Sequence, residues 1–413
     1  MRGPRVPGWL YVLFLALLTT ATDEFVIAGV LPRIATDLRL SPSVVGQLVT
    51  VFALAYAVGA PTLAVVVARW PRRTVLVCGL AVFVLANVAS AIAPSFGVLL
   101  AARVGAALAA AVITSAAFGT AAAGAPPGQQ GRYLAVTTAG MTVALFTGVP
   151  VGTVLGDLVG WRATFWLIAA VGTVTAIGLL MTVPTLPGEA PPATLGQRLA
   201  PLRSRAALRL VAVTFLAAGG GLMFYTYLGV YVARTGAGRP LSVVLLVAGV
   251  AGLTGALLSG RAVDRLGARF SLRLVLGGHA LALLVIAGAG FLGVGGPPGL
   301  VMLLVLVALW SMFAWGLTPP VQGSMFVAVG PAAAMPALAL NVAGLYLGTS
   351  VAGALGGLVL AAADARLIPL LGALFLVCSY LLAAGPPGGR DRGPRPGHQH
   401  PDTVVANAGT TRR

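Results

Sequence analysis

Two carboxylates, Asp23 and Glu24, stand side by side in TTATDEFVIAGVLP, Thr19 to Pro32, within a stretch that is otherwise apolar or small from Gly8 to Leu31. As a helix that stretch covers about 36 Å, enough to cross a hydrocarbon layer of about 30 Å with some tilt. The acids then lie about 10 Å inside one boundary, where an ionised side chain costs at least about 2.5–3.5 kcal/mol unless it faces a partner or a wet cavity. A carboxyl group in such a place can carry a proton, because burial favours its neutral form while a nearby arginine or a substrate cation favours the anion. Alternatively, hydroxyls such as that of Thr20 hold the acid permanently as a packing anchor. Arg103, within LLAARVGAALAAA, is the other intramembrane charge. It must find acceptors inside the protein, or snorkel outward from its place near the start of its span.

The elements that position these groups follow from composition. Of 413 residues 58% are hydrophobic and 8% charged, which describes an all-α polytopic membrane protein. The 55 glycines suit closely packed transmembrane helices. All 26 basic residues are arginine, so neither a Walker A lysine nor a Schiff base is available. The net charge of +17 is scattered over short loops, which argues for topology and against nucleic acid as a partner. Cys78 and Cys378 fall within apolar runs and read as buried thiols. The N-terminal apolar run continues past the acids and reads as a first span, not a secretory signal.

Hydropathy predicts twelve spans, at 8–31, 43–68, 74–93, 97–123, 132–156, 162–184, 208–233, 241–263, 272–294, 299–327, 335–362 and 366–384. With both termini on the cytoplasmic side of a cell membrane, inner or plasma, nineteen arginines are inside. Six then lie outside: Arg33, Arg39, Arg162, Arg234, Arg239 and Arg366. The chain divides into an N-terminal six-helix bundle (1–184), a proline- and arginine-rich cytoplasmic linker (185–207), a C-terminal bundle (208–384) and a tail (385–413) expected to be disordered. His398 and His400 in that tail make no metal site by themselves.

The halves read as repeats. GRAVDRLGAR, Gly260 to Arg269, follows span 8, and AVVVARWPRR, Ala64 to Arg73, follows span 2 at a matching offset. The same offset relates Gly148, Gly152 and Gly156 to Gly344, Gly348 and Ala352. The first of these segments resembles the G-x-x-x-D-R-x-G-R-R loop of the major facilitator superfamily. Gly260, Asp264, Arg265, Gly267 and Arg269 carry that resemblance, which extends over nearly the whole chain. It implies twelve transmembrane helices in two six-helix bundles that rock about a midplane site, with this loop latching one state. The first copy keeps Arg69, Arg72 and Arg73 but has Ala68 in place of the acid and Pro71 in place of the second glycine, which leaves the N-terminal latch in doubt.

Span 5 repeats small residues every fourth position, Gly140, Ala144, Gly148, Gly152 and Gly156, with Pro150 expected to bend the helix. AGMTVALFTGVPVGTVLG followed by GWRATF, Gly160 to Phe165, resembles the antiporter motif of the twelve-helix drug:proton antiporters. PSFGVLLAARVGAAL, Pro94 to Leu108, and the acid-less VARWPRR loop look like the chloramphenicol and multidrug exporters among them. Arg103 matches an arginine that the superfamily associates with proton coupling. TDEFVIAGVLP is similar to a first-helix motif in which an acid precedes the phenylalanine, here Glu24 before Phe25. The resemblance implies Glu24 as the principal proton carrier, with Asp23 and Arg103 assisting.

The implied function is proton-coupled efflux of a small amphipathic, chloramphenicol-like compound; a sugar or metabolite exporter and a passive facilitator are the alternatives. Met223, Tyr225, Tyr227, Trp315, Gln322 and Asn341 are candidate cavity residues, since aromatic and methionine surfaces adapt to moderately apolar ligands. His279 reads as a hydrogen-bonded helix residue more than as a proton relay. No catalytic cluster, cofactor motif or metal-ligand spacing points to an enzyme. The expected partners are the substrate, protons and the lipid bilayer, with the chain acting as a monomer.

Overall fold

The computed structural model describes residues 7–188, 194–234, 241–293 and 296–385. The predicted tail beyond residue 385, with His398 and His400, lies outside the described residues, as do Arg239 and linker positions 189–193. Among the described residues the chain is helical without strands.

Eleven helices are long and apolar enough to cross a membrane, and a bent pair supplies the twelfth span. Span 1 is that pair, Gly8–Phe25 and Ile27–Asp37, meeting at 45°. Spans 2 to 6 are Pro42–Val66, Arg72–Ala91, Phe96–Ala123, Gln130–Leu158 and Trp161–Thr182. Spans 7 to 12 are Arg205–Thr226, Leu241–Leu266, Ala268–Leu292, Pro298–Gly330, Pro336–Ala362 and Ala365–Ala384. Spans 1–6 pack on one another, as do spans 7–12, and the two groups meet along span 2 against span 11 and span 5 against span 8.

Pro32 explains the break in span 1. Its missing N–H leaves the Ala28 carbonyl unpaired within the second segment, and nearer the break the Asp23 and Phe25 carbonyls accept from Arg103 and Tyr225. The bend falls at Val26, directly after the acid pair.

The glycine stripe of span 5 has span 1 as its partner. A Cβ at Gly140 would collide with the Phe14 carbonyl oxygen, at Gly148 with Thr22, at Gly152 with Val26 and at Gly156 with Val30. Matching four-residue steps on both helices keep them in close contact through the acid pair. Pro150 lies just beyond a π-helical turn, Ala144–Gly148, which the Val149 N–H closes on the Ala144 carbonyl. In the second bundle Gly348 meets the Phe215 carbonyl and the Gly219 nitrogen as Gly140 meets the Phe14 carbonyl and the Leu18 nitrogen. The internal repeat therefore pairs Gly140 with Gly348, a different correspondence from the one the sequence offset suggests, because loop lengths differ between the halves.

The seam between the bundles closes in the half away from the arginine-rich loops. There Gly353 abuts Thr50 and the Gly46 carbonyl, Gly46 faces the Tyr227 hydroxyl, and Gly249 lies on the Leu145 backbone. Toward the arginine-rich loops, residues 60–66 of span 2 include no buried side chain, and the linker helix Leu195–Leu199 contacts span 2 and the helix Thr318–Ala362.

Two expectations are corrected here. Cys78 and Cys378 are exposed on outward helix faces. Lipid-facing and buried positions are equally apolar, so hydropathy does not separate them. His279 is buried, and neither ring nitrogen has a hydrogen-bond partner among the described residues. It sits between Gly221 and Trp310, whose ring centroid is 6.3 Å away.

Candidate functional site

Asp23 and Glu24, adjacent in sequence, face different surroundings. Asp23 points into the first bundle, where Arg103 Nη1 donates to its Oδ1 at 2.6 Å and Nη2 to its backbone carbonyl at 3.1 Å. Their side chains are 0% and 1% exposed. The guanidinium lies 4.5 Å from the centre of the Phe52 ring and 5.8 Å from that of Phe165. Arg103 therefore turns inward to Asp23 and does not snorkel.

Glu24 points to the seam. Its Oε2 accepts a hydrogen bond of 2.8 Å from the Tyr346 hydroxyl of span 11, and among the described residues it has no ion pair. The Tyr346 ring stacks on Tyr56 of span 2, with centroids 3.7 Å apart and planes inclined by 17°. Next along the chain, Phe25 meets Tyr225 and Trp315 edge to face, at 5.8 and 5.1 Å. The bend at Val26 disturbs the local helix bonding, and the Tyr225 hydroxyl donates to the Phe25 carbonyl at 3.4 Å. Glu24, Phe25, Tyr225, Trp315, Tyr56 and Tyr346 thus form one aromatic-walled cluster around a carboxylate, drawn from both bundles.

The other candidate cavity residues lie apart. Met223 and Tyr227 are fully buried in the closed seam, Met223 against Gly356 and Tyr227 donating to the Gly353 carbonyl at 2.6 Å. Gln322 is exposed farther along span 10, and Asn341 is buried in span 11 with Oδ1 unpartnered. Sequence reasoning passed over Tyr56 and Tyr346, which belong to no motif. Their one sequence signal is that a tyrosine inside a span must find a partner for its hydroxyl.

The motif residues cluster at the two ends. Arg69 is exposed; the Arg72 backbone N–H donates to the Leu186 carbonyl at 3.0 Å, and the Arg73 guanidinium donates to the Leu180 carbonyl at the end of span 6. In the second loop Gly260 has open space beside it, and Gly267 supplies the positive φ of 82° that starts span 9. Asp264 and Arg265 are exposed, and Asp264 makes no side-chain hydrogen bond among the described residues. Arg269 and Arg273 donate to the Gly385 and Ala384 carbonyls, at 3.1 and 2.9 Å, where basic groups complement the C-terminal end of span 12. At the opposite end Arg162 binds Asp37 at 2.5 Å, the Trp161 indole donates to the same carboxylate at 3.0 Å, and Arg33 binds Asp157 at 3.0 Å. Thr164 donates to the Gly152 carbonyl at 2.7 Å, so GWRATF is hydrogen-bonded to the glycine stripe.

Residues 13–335 match the family model described as Major Facilitator Superfamily. The chain belongs to the major facilitator superfamily. A chloramphenicol resistance protein of Streptomyces lividans is 34% identical over 394 residues, covering 92% of this chain and 96% of that protein. The uncharacterized MFS-type transporter YbcL of Bacillus subtilis (strain 168) is 31% identical over 379 residues, covering 90% and 94%. Among solved structures, the nucleoside transporter NupG superposes with a TM-score of 0.73 at 13% identity over 91% of this chain and 98% of that one. A bacterial homologue of the lysosomal transporter Spinster, inward-facing and occupied, gives 0.70 at 18% identity over 91% and 95%. This major facilitator protein is accordingly a multi-pass membrane transporter for a small molecule, and its relatives are transporters, not enzymes.

Proposed function

We propose that this transporter exports a small amphipathic compound, of the drug or antibiotic kind, in exchange for protons. The observation that supports this reading most is the separation of the two acids. Asp23 is neutralised by Arg103. Among the described residues Glu24 is left as a carboxyl with no cation bonded to it, at the seam where the bundles must part. A group in that position can bind a proton in one state and release it when substrate or a bundle movement intervenes. The surrounding Phe25, Tyr225, Trp315, Tyr56 and Tyr346 offer apolar rings and few fixed polar groups, which suits an amphipathic ligand. Likeness to a chloramphenicol resistance protein supports a drug as cargo. With the arginine-rich loops cytoplasmic by the positive-inside rule, the closed half of the seam faces away from the cytoplasm. The chain acts as a monomer in a bacterial cell membrane.

Everted vesicles test the reading: a panel with chloramphenicol, cationic drugs and sugars is added while a pH-sensitive dye reports proton movement. The expected result is dye response to an amphipathic drug with wild type, none with Glu24→Gln despite retained drug binding, and a response that survives Asp23→Asn. Full drug resistance conferred in cells by both neutralised variants would refute proton coupling through these acids. Efflux that persists after the proton gradient collapses would mark a passive facilitator.

A further inference from the structure

Tyr346 is 4% exposed and reaches across the seam in two directions: its hydroxyl donates to Glu24 on span 1, and its ring stacks on Tyr56 of span 2, whose hydroxyl lies beside its own. Beyond Tyr56 toward the arginine-rich loops, residues 60–66 of span 2 hold no buried side chain, and on the other side the glycine contacts at Gly46 and Gly353 close the seam. The Tyr346–Glu24 bond therefore stands at the inner edge of the closed half.

We propose that Tyr346 is a positioning residue that converts the charge state of Glu24 into the closeness of the two bundles. The anionic carboxylate holds the seam in the arrangement seen here, and the protonated one lets it part. This rests on the reading of Glu24 as the proton carrier. The two contacts of Tyr346 respond differently to a proton. A phenol donating to a carboxylate makes a charge-assisted bond, about twice as strong as the bond it makes to a neutral carboxyl. The ring stack does not change with charge and keeps the hydroxyl aimed at Oε2. Loss of the charge assistance corresponds to about a tenfold change in the ratio of closed to parted seams.

The groups facing Glu24 leave it as the responsive one. Asp23 on its own span and Arg103 on span 4 neutralise each other. Span 2 presents Tyr56, whose hydroxyl lies beside those of Thr114 and Tyr346. Span 7 presents Tyr225, which donates to the Phe25 carbonyl, and span 11 presents Tyr346.

The test uses the full-length protein in liposomes. Cys78 and Cys378 are replaced by serine, and spin labels are placed at the exposed Val66 of span 2 and Val327 of span 10 to read the distance between bundles. When the pH is lowered from about 8 through the carboxyl range to about 4, the wild-type distance distribution should shift by about tenfold in population. Tyr346→Phe keeps the ring and should reduce that shift to under about twofold, while drug-evoked proton release continues because Glu24 is intact. Tyr231→Phe, which removes a buried hydroxyl bonded within the second bundle to the Ile286 carbonyl, should behave as wild type and so controls for loss of a buried hydroxyl. Glu24→Gln should abolish both the shift and the proton release. A Tyr346→Phe protein that keeps the full pH-dependent shift, while Glu24→Gln loses it, overturns the role of Tyr346 and leaves Glu24 as the carrier. A Glu24→Gln protein with wild-type proton release overturns the carrier assignment itself. A wild-type distance that ignores pH overturns the proposal outright.

Discussion

Neutralising either member of the Asp23–Arg103 pair should destabilise the first bundle, and by unequal amounts. Both side chains are at most 1% exposed, so removing one partner leaves a buried charge uncompensated, at a cost of about 3–5 kcal/mol. Arg103→Gln strands a carboxylate that can become neutral by taking up a proton, which limits the loss. Asp23→Asn strands a guanidinium that stays charged at any accessible pH. Arg103 would then keep neutral acceptors, the Asn amide oxygen and the residue-23 carbonyl, and the rings of Phe52 and Phe165, but no counter-charge. Asp23→Asn should therefore cost about 4–5 kcal/mol and Arg103→Gln about 3 kcal/mol, at the low end because Asp23 Oδ2 and Arg103 Nε already lack partners. The double variant, with no charge left to strand, should cost less than either single. Equilibrium unfolding in mixed dodecylmaltoside and SDS micelles, followed by tryptophan fluorescence, supplies the double-mutant cycle. Single costs that simply add in the double variant would refute the claim that the pair is one neutral unit, and with it the argument that Glu24 stands alone.

Two further outcomes follow from the helix contacts and the loops. Gly140→Ala and Gly348→Ala each drive a Cβ into a backbone carbonyl of the facing helix and should lower stability by about 1–3 kcal/mol, whereas Gly260→Ala, with open space beside it, should be near neutral in the same unfolding assay. Ala68→Asp restores the acid missing from the first loop, beside the Arg72 N–H bond to Leu186, and should alter the balance between the two accessibility states. Unchanged transport rate and unchanged labelling from both sides of the membrane would show that a carboxylate in that loop has no influence here.

Much of the architecture was legible in the chain alone because it depends on local quantities. Runs of apolar residues long enough to cross a bilayer mark the twelve spans, and the ends of the helices fall within a few residues of the predicted ones, apart from spans 1 and 7. The four-residue glycine repeat marked a close-contact face, but not the helix that fills it. Pro32 was visible without indicating that the bend would fall directly after the acid pair.

The partners of the charged and polar side chains were decided only by the tertiary structure. Asp23 and Glu24 differ by one position, about 100° around a helix, and that rotation sends one to Arg103, eighty residues away, and the other to Tyr346 in the opposite bundle. In a soluble helix the polar face would reveal such a rotation. Here lipid-facing and core-facing positions are both apolar, so the sequence carries little record of which way each helix is turned. The outward thiols of Cys78 and Cys378 and the unpartnered ring of His279 have the same cause. The sequence thus determined that two acids sit at cost inside a span; how the helices are rotated against one another determined that, among the described residues, Asp23 has a cation beside it and Glu24 has none in an ion pair.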